Sequence, residues 1–257
     1  MSLHRFYAPC GAFNSENKTV VLERDEARHL REVLRLRRGD EVTVFDGEGR
    51  EFQCIIEETM RERAKLKVCA PICAARPESS LDLTLALALL KGEKFDLVVQ
   101  KASELGVMRI LPVATMRADV RVRNEQDALR RITRWQRISI EAAKQSGRAR
   151  VPEVSAPIKF EDLIEGSANE NAIEKKWRVM FVERGGYGLI KSFSELRARP
   201  SAVTALIGAE GGWADEEIAR ARQSGWSIVT LGGRTLRAET AAIVATTLLQ
   251  HLLGDLV

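Results

Sequence analysis

The sequence predicts an α/β protein in two parts: a small β-rich domain over residues 1–72, then a linker at 73–80, then a parallel α/β domain over 81–257. Three observations point there. Short strand patterns separated by turn residues dominate the first part. The stretch Pro71-Ile72-Cys73-Ala74-Ala75-Arg76-Pro77-Glu78-Ser79-Ser80 has no periodicity and holds two prolines, two alanines and two serines, as a linker does. Beyond it, apolar strand-like runs alternate with amphipathic helix-like runs, the pattern of a parallel sheet covered on both faces.

In the first part, Phe6-Tyr7 and Thr19-Val20-Val21-Leu22 are strand candidates. Glu41-Val42-Thr43-Val44-Phe45 alternates in period two and runs through Asp46-Gly47-Glu48-Gly49 into a partner strand at 52–56, a hairpin signal. A further strand covers 64–70. One helix is expected from Asp25 to Leu36, with Gly39 ending it. In the second part, strands are expected at 81–89, 109–113, 178–182, 203–207 and 227–231. Helices are expected at 95–105, 125–145, 215–224 and 239–253. The polar run from Glu165 to Lys176 reads as a mobile insertion.

Composition narrows the function classes. Hydrophobic residues make up 45% of the 257, enough for a sizeable core. The 40 Lys+Arg against 36 Asp+Glu give +4, which permits a polyanionic partner without demanding one. No run approaches the roughly 18–20 apolar residues of a membrane helix, so no membrane partner is expected. The start Met1-Ser2-Leu3-His4-Arg5 has no signal-peptide core. Cys10, Cys54, Cys69 and Cys73 form no paired C-x-x-C pattern, so reduced thiols in a cytoplasmic protein and no bound metal are expected. His4, His29 and His251 are scattered and suggest no nucleophilic triad. Trp213 and Trp226 read as core or lid residues.

Two stretches could carry chemistry. Leu206-Ile207-Gly208-Ala209-Glu210-Gly211-Gly212-Trp213 ends a buried strand in three glycines within five positions, and a helix then starts. Glycine lets backbone approach a ligand, and a helix start offers free N–H groups. A tight strand-to-helix turn explains the same residues without any ligand. The spacing is not G-x-G-x-x-G, and no Walker lysine follows. Leu231-Gly232-Gly233-Arg234-Thr235-Leu236-Arg237-Ala238-Glu239-Thr240 repeats the arrangement and packs Arg234, Arg237 and Glu239 into one tight loop. Two such strand ends at neighbouring positions of one sheet predict one shared pocket at the carboxyl ends of the strands.

These stretches resemble the knotted SPOUT superfamily of methyltransferases, and within it the RsmE family, which methylates N3 of a uridine in small-subunit ribosomal RNA. The resemblance covers nearly the whole chain. It includes His4-Arg5-Phe6-Tyr7, His29-Leu30-Arg31-Glu32-Val33-Leu34-Arg35, Lys91-Gly92-Glu93-Lys94, Gln100-Lys101-Ala102-Ser103-Glu104-Leu105-Gly106 and Glu141-Ala142-Ala143-Lys144-Gln145-Ser146-Gly147-Arg148 before Val151-Pro152. Where the family usually has proline, this chain has Ala209, which loosens the loop. The resemblance implies a PUA-like RNA-binding β-barrel followed by an α/β domain with a deep trefoil knot. It also implies a homodimer with active sites at the dimer interface, S-adenosylmethionine as cofactor, and ribosomal RNA or the assembled small subunit as partner. Two other classes stay open: a SPOUT enzyme acting on transfer RNA or on a ribose 2′-hydroxyl, and a non-catalytic RNA-binding protein of the same fold. The glycine loops and Arg237 favour an enzyme, and the first domain with Gln145-Ser146-Gly147-Arg148 favours base methylation.

On that basis Gly208, Gly211, Gly212, Leu231, Gly232, Leu236 and Thr240 are expected to shape the cofactor pocket. Arg237 is expected to stabilise the anion that develops on the uridine carbonyls. Glu210 or Glu239 is expected to accept the proton or orient Arg237, with the two unranked. The RNA contacts expected are Arg5, Arg28, Arg31, Arg35, Arg130, Arg134, Arg137, Gln145 and Arg148. Arg24, Arg28, Arg31 and Arg35 fall at helical spacing, with Arg37 and Arg38 beyond. Residues 117–150 carry ten basic against four acidic side chains, a local excess of six. Leu129, Ile132, Trp135 and Ile138 are expected to form the apolar face of the long helix, leaving Arg130, Arg134 and Arg137 together elsewhere on it. Solvated faces would explain the first arginine cluster, and less readily the second.

Overall fold

The computed structural model describes residues 4–169 and 176–256. The chain folds as two compact units: Met1–Glu78 with Ile140–Val151, and Ser79–Ser139 with Pro152–Val257. Residues 73–80, read as a linker, divide between them and are bonded in place. Ala75 N donates to Glu51 Oε2 in the first unit, and Ser79 Oγ donates to Gln250 Oε1 in the second.

The first unit holds β1 (Arg5–Tyr7), β2 (Phe13–Asn14), β3 (Thr19–Glu23), α1 (Arg24–Arg28), β4 (Glu41–Phe45), β5 (Glu51–Thr59) and β6 (Arg63–Ile72). Its six strands run in the order β1-β4-β5-β6-β3-β2, parallel at β1–β4 and antiparallel elsewhere. The ladder ends at β1 and β2 without pairing them. Phe6, Val20, Leu22, Leu30, Val42, Val44, Ile56 and Leu66 fill its core. The predicted hairpin forms between β4 and β5. Asp46 Oδ1 accepts from the main-chain N–H groups of Glu48 and Arg50, which closes the turn. The 140–151 segment belongs to this unit because Gly49 N donates to Ala149 O and Val151 N donates to Gly47 O.

The expected helix over 25–36 is shorter and less regular. After α1, residues His29–Val33 form a π-helical turn, and Arg35 adopts φ +55°. Leu34 N bonds back to His29 O, a five-residue span that winds more widely than an α-turn. Arg24, Arg28, Arg31 and Arg35 therefore do not form one α-helical stripe. Gly39 does not cap this helix; at φ +94° it turns the chain into β4 and donates to Ile56 O.

The second unit is an α/β layer structure. Its strands are β7 (Asp82–Ala88), β8 (Arg109–Ala114), β9 (Glu153–Val154), β10 (Ile158–Lys159), β11 (Lys176–Phe181), β12 (Tyr187–Gly188), β13 (Ala202–Ile207) and β14 (Ser227–Thr230). The main path is β10-β8-β7-β13-β11-β14-β12, with β9 beside β8, and every pairing is parallel. The helices are α2 (Lys94–Glu104), α3 (Glu125–Ser146, shared with the first unit), α4 (Phe160–Asn169), α5 (Leu189–Ser194), α6 (Asp215–Gln223) and α7 (Ala238–Leu253). Alternation along the strands sends side chains to opposite faces. Leu83, Leu85 and Leu87 of β7, Val203 and Ala205 of β13, and Val179 of β11 join one core with Phe95, Trp135, Ala242, Ala245 and Leu249. Ala86, Leu206 and Met180 join the other with Phe160, Ile164, Ala221 and Trp226.

The short elements β9, β10, β12, α4 and α5 were not expected. The insertion read at 165–176 is helical to Asn169, and its residues 170–175 lie outside the described residues. Leu129, placed on the apolar face of α3, is 56% exposed. Among the described residues no helix is long and apolar enough to cross a membrane.

Candidate active site

Because β11, β13 and β14 run parallel in register, Phe181 lies beside both Ile207 and Val229, and the carboxyl ends of all three strands open on one edge. The two glycine-rich strand ends, β13 and β14, are not neighbours: β11 lies between them. They still share one cavity of about 380 Å³ at that edge. This lies within the range of about 300–1,000 Å³ usual for small-molecule sites.

Ile207, Ala209, Leu231 and Leu236 give the cavity apolar surface, and Glu210, Arg234 and Arg237 give it charge. Gly208 lies so close to Trp213 that an added Cβ would stand 2.9 Å from the indole ring. Trp213 is buried and donates from Nε1 to Phe181 O at 2.8 Å, which ties the β13 loop to the end of β11. Glu217, buried in the first turn of α6, accepts from Ala214 N and from Met116 N at 3.0 and 2.9 Å. It thereby fixes the start of α6 and the loop after β8 together.

The expected cofactor-pocket residues separate. Gly208, Gly212, Leu231 and Leu236 line the cavity, while Gly211, Gly232 and Thr240 do not. An added Cβ at Gly211 would meet Arg117 O at 2.7 Å, so this glycine serves close packing of the 115–118 loop. Gly232, at φ +117°, makes the turn out of β14, a backbone that L side chains rarely adopt. Thr240 is exposed on α7.

Arg237 lines the cavity, exposed, at the N-cap of α7, where its carbonyl accepts from Ala241 N at 2.8 Å. Glu210 Oε1 accepts from Lys94 Nζ at 2.9 Å and from Lys91 N at 3.4 Å. Burial pushes the Glu210 carboxyl up, but these hydrogen bonds, its own main-chain N–H and the Lys94 charge outweigh burial and hold it below the ordinary range. Glu239, in the first turn of α7, has a 12% exposed side chain and lies 4.0 Å from Lys94 Nζ. Lys94, Phe181, Val182 and Glu183 are lining residues that were not among the expected pocket residues. The last three lie at and just past the end of β11, whose place between β13 and β14 has no signal in spacing.

The basic residues also separate. Arg5 and Arg148 are structural. Arg5 pairs with Glu51 at 2.7 Å, lies 4.0 Å over the Phe45 ring and donates to the carbonyls of Ala143, Lys144 and Arg148. Arg148 is 5% exposed and bonded to Glu78. Neither is presented to a phosphate. Arg28, Arg35, Arg130, Arg134, Arg137 and Gln145 are exposed. Arg134 is paired with Asp96 of α2, and Arg31, half-buried, is paired with Glu32.

Of metal-binding groups, Cys10, Asp46 and Glu48 converge in the first unit. The Arg50 guanidinium occupies that cluster, with Nε 2.5 Å from Asp46 Oδ2 and Nη2 3.3 Å from Cys10 Sγ.

A family model described as an RNA methyltransferase domain matches residues 77–250, and one described as an RNA methyltransferase PUA domain matches residues 22–69. The ribosomal RNA small subunit methyltransferase E of Synechocystis sp. is 32% identical over 235 residues, 91% of this chain and 74% of that protein. The Bacillus subtilis protein of the same name is 27% identical over 239 residues, 92% of this chain and 91% of its own. The crystal structure of the Neisseria gonorrhoeae enzyme of that name, bound to S-adenosylmethionine, matches with a TM-score of 0.84 at 33% identity. The match covers 99% of this chain and all of that one.

Proposed function

We propose that this chain, which belongs to the ribosomal RNA small subunit methyltransferase E family, transfers the methyl group of S-adenosylmethionine to N3 of a specific uridine in small-subunit ribosomal RNA. The observation that carries the proposal is the single cavity between the β13 and β14 loops, with Arg237 on its wall.

The residues present fit the cofactor. Leu231, Leu236 and Ile207 offer apolar surface to a flat ring, and the backbone of the loops after β13 and β14 offers N–H and carbonyl groups for its polar edges. Bound there, S-adenosylmethionine supplies an electrophilic methyl carbon on a sulfonium. The protein then has to hold a nucleophilic nitrogen in line with that carbon, and the rigid strand ends, pinned by Trp213 and Glu217, give the wall needed for it. Uridine N3 carries a weakly acidic proton between two carbonyls. Arg237, with a planar fork of donors, stabilises the anion that develops on those carbonyls. Glu210, on the cavity wall, and Glu239, which adjoins lining residues, are assigned to take or steer the proton; Glu183 is a further carboxylate on the wall.

Arg28, Arg31, Arg35, Arg130, Arg134, Arg137 and Gln145 are the RNA contacts of this reading, with Arg5 and Arg148 withdrawn because their guanidinium groups are held by Glu51 and Glu78. Residues 1–72 act as the RNA-binding domain, and 81–257 carry the methyl transfer. The deep trefoil knot belongs to the same proposal. In its support, the chain leaves β14 on one side of β11 and returns as α7, whose Ala242, Ala245 and Leu249 pack with residues of β13 and β7 on the other. The homodimer and the cytoplasmic setting are proposed on family membership.

The test is to delete the gene and map modified nucleosides in small-subunit RNA. One N3-methyluridine should disappear and return with the wild-type gene. Persistence of every such modification rejects the proposal.

A further inference from the structure

Lys94 stands between two carboxylates that the fold brings together from distant parts of the chain. It opens α2, Glu210 follows β13, and Glu239 lies in the first turn of α7. The three have unequal partners. Glu210 Oε1 takes hydrogen bonds from Lys94 Nζ at 2.9 Å and from Lys91 N at 3.4 Å. Among the described residues Oε2 of Glu239 accepts no hydrogen bond. Its Oε2 is closed to solvent, and Lys94 Nζ, at 4.0 Å, is beyond hydrogen-bond reach. An enclosed carboxylate oxygen without a donor lowers stability, and a water or a ligand has to satisfy it. The adjoining residues Arg237, Ala238 and Ala241 line the cavity.

We infer that Lys94 is a positioning residue that commits Glu210 to the wall of the site and leaves Glu239 as the carboxylate that receives the proton of the target base. This rests on the function proposed above. In the step, the N–H bond of the nucleophilic nitrogen breaks and its proton passes to a Glu239 carboxylate oxygen. The freed electron pair on nitrogen forms the bond to the methyl carbon, and the carbon–sulfur pair leaves with sulfur, which becomes a neutral thioether. Glu210 is unsuited to that role: its donors already hold it as the anion, in a pKa range below that of an ordinary carboxylate. The charged group facing Glu239 is Lys94 from α2, which in turn pairs with Glu210.

The test compares the full-length protein with Glu239→Gln, Glu210→Gln, Lys94→Met and Lys94→Arg. Thermal midpoint, S-adenosylmethionine calorimetry and single-turnover methylation of small ribosomal subunits from pH 6 to 9 are measured on each. Glu239→Gln should keep its thermal midpoint and cofactor affinity while losing on the order of 10²–10⁴ in rate, the usual worth of a positioned base. Its rate should then rise tenfold per pH unit as hydroxide replaces the base. Glu210→Gln should lower the thermal midpoint and keep the wild-type pH profile. Lys94→Met should lower kcat more than it raises KM, and Lys94→Arg should recover part of it. A Glu239→Gln rate and pH profile like wild type overturns the assignment. Loss of tenfold or more in cofactor affinity also overturns it, because the missing donor would then belong to the cofactor. Wild-type protein that methylates no subunit rejects the parent proposal instead.

Discussion

Arg148 donates to Glu78 Oε2 through both Nε and Nη2, at 3.0 and 2.8 Å, and Glu78 Oε1 accepts in turn from Arg150 N at 3.0 Å. The Arg148 side chain is 6% exposed and Glu78 19%. Removing Glu78 takes a carboxylate away from a buried guanidinium. Glu78→Ala should therefore destabilise the protein by about 3 kcal/mol, at the low end for breaking a buried ion pair. Urea unfolding followed by circular dichroism gives the number. A loss below about 0.5 kcal/mol, as exposed pairs give, would mean the pair is solvated in solution.

Arg148 also marks where the sequence stopped being legible. Its motif, Gln145-Ser146-Gly147-Arg148, pointed to RNA, and nothing in spacing reveals that Glu78, seventy residues earlier, closes on it. The same holds for Arg5 and Glu51. Local patterns were readable because their physics is local. The alternation of Glu41-Val42-Thr43-Val44-Phe45 became β4, and its Asp-Gly turn became the hairpin. The long strands and helices of the second unit fall within a few residues of their periodic runs. Strand order was not readable. The loops after β13 and β14 announce themselves by glycines, but β11 reaches its place between them through pairing that leaves no sequence mark. For the same reason Lys94 and Glu183 went unnoticed as cavity residues. The π-turn at His29–Val33 was missed because its side chains carry ordinary helical spacing.

Acid should selectively weaken the β4–β5 turn. Burial pushes the Asp46 carboxyl up, but the Glu48 and Arg50 N–H groups and the Arg50 guanidinium outweigh burial and hold it below its usual range. A depressed folded pKa contributes stability above the unfolded value of about 3.9 and loses it as pH falls through the folded value. Asp46→Asn should thus cost about 1–3 kcal/mol at pH 7, the penalty for breaking buried hydrogen bonds to charged groups. The gap from wild type should shrink toward pH 3. Denaturant midpoints at the two pH values decide it, and a gap that stays constant means Asp46 does not titrate with folding.

RNA affinity should fall linearly in a plot of log affinity against log salt, by about 0.7–0.9 per phosphate contact. Arg130 and Arg137 are exposed on α3, and among the described residues neither is ion-paired. Replacing both by glutamine should flatten the slope by about 1.4–1.8, two contacts' worth. Arg134, already paired with Asp96, should contribute less. Fluorescence anisotropy with small-subunit RNA across a salt series measures this. An unchanged slope makes this face of α3 an ordinary solvated one.

Arg237 offers the sharpest case, because its side chain and main chain have separable duties. The carbonyl accepts from Ala241 N and so starts α7, a role any residue with extended backbone fills. The guanidinium, exposed on the cavity wall, donates no hydrogen bond and forms no ion pair among the described residues. Arg237→Ala therefore removes the cation and leaves the helix start intact. If the guanidinium stabilises the uridine anion, the single-turnover rate should fall on the order of 10²–10³-fold, as when one preorganised donor is lost. Cofactor affinity should change little, and the thermal midpoint should hold. Arg237→Lys should recover only part of the rate, since an ammonium cannot face a carbonyl with two donors in one plane. Methylation of small subunits under single-turnover conditions, with cofactor calorimetry on the same preparations, separates the outcomes. A near-normal rate removes Arg237 from the chemistry, and a lost affinity moves it to the cofactor.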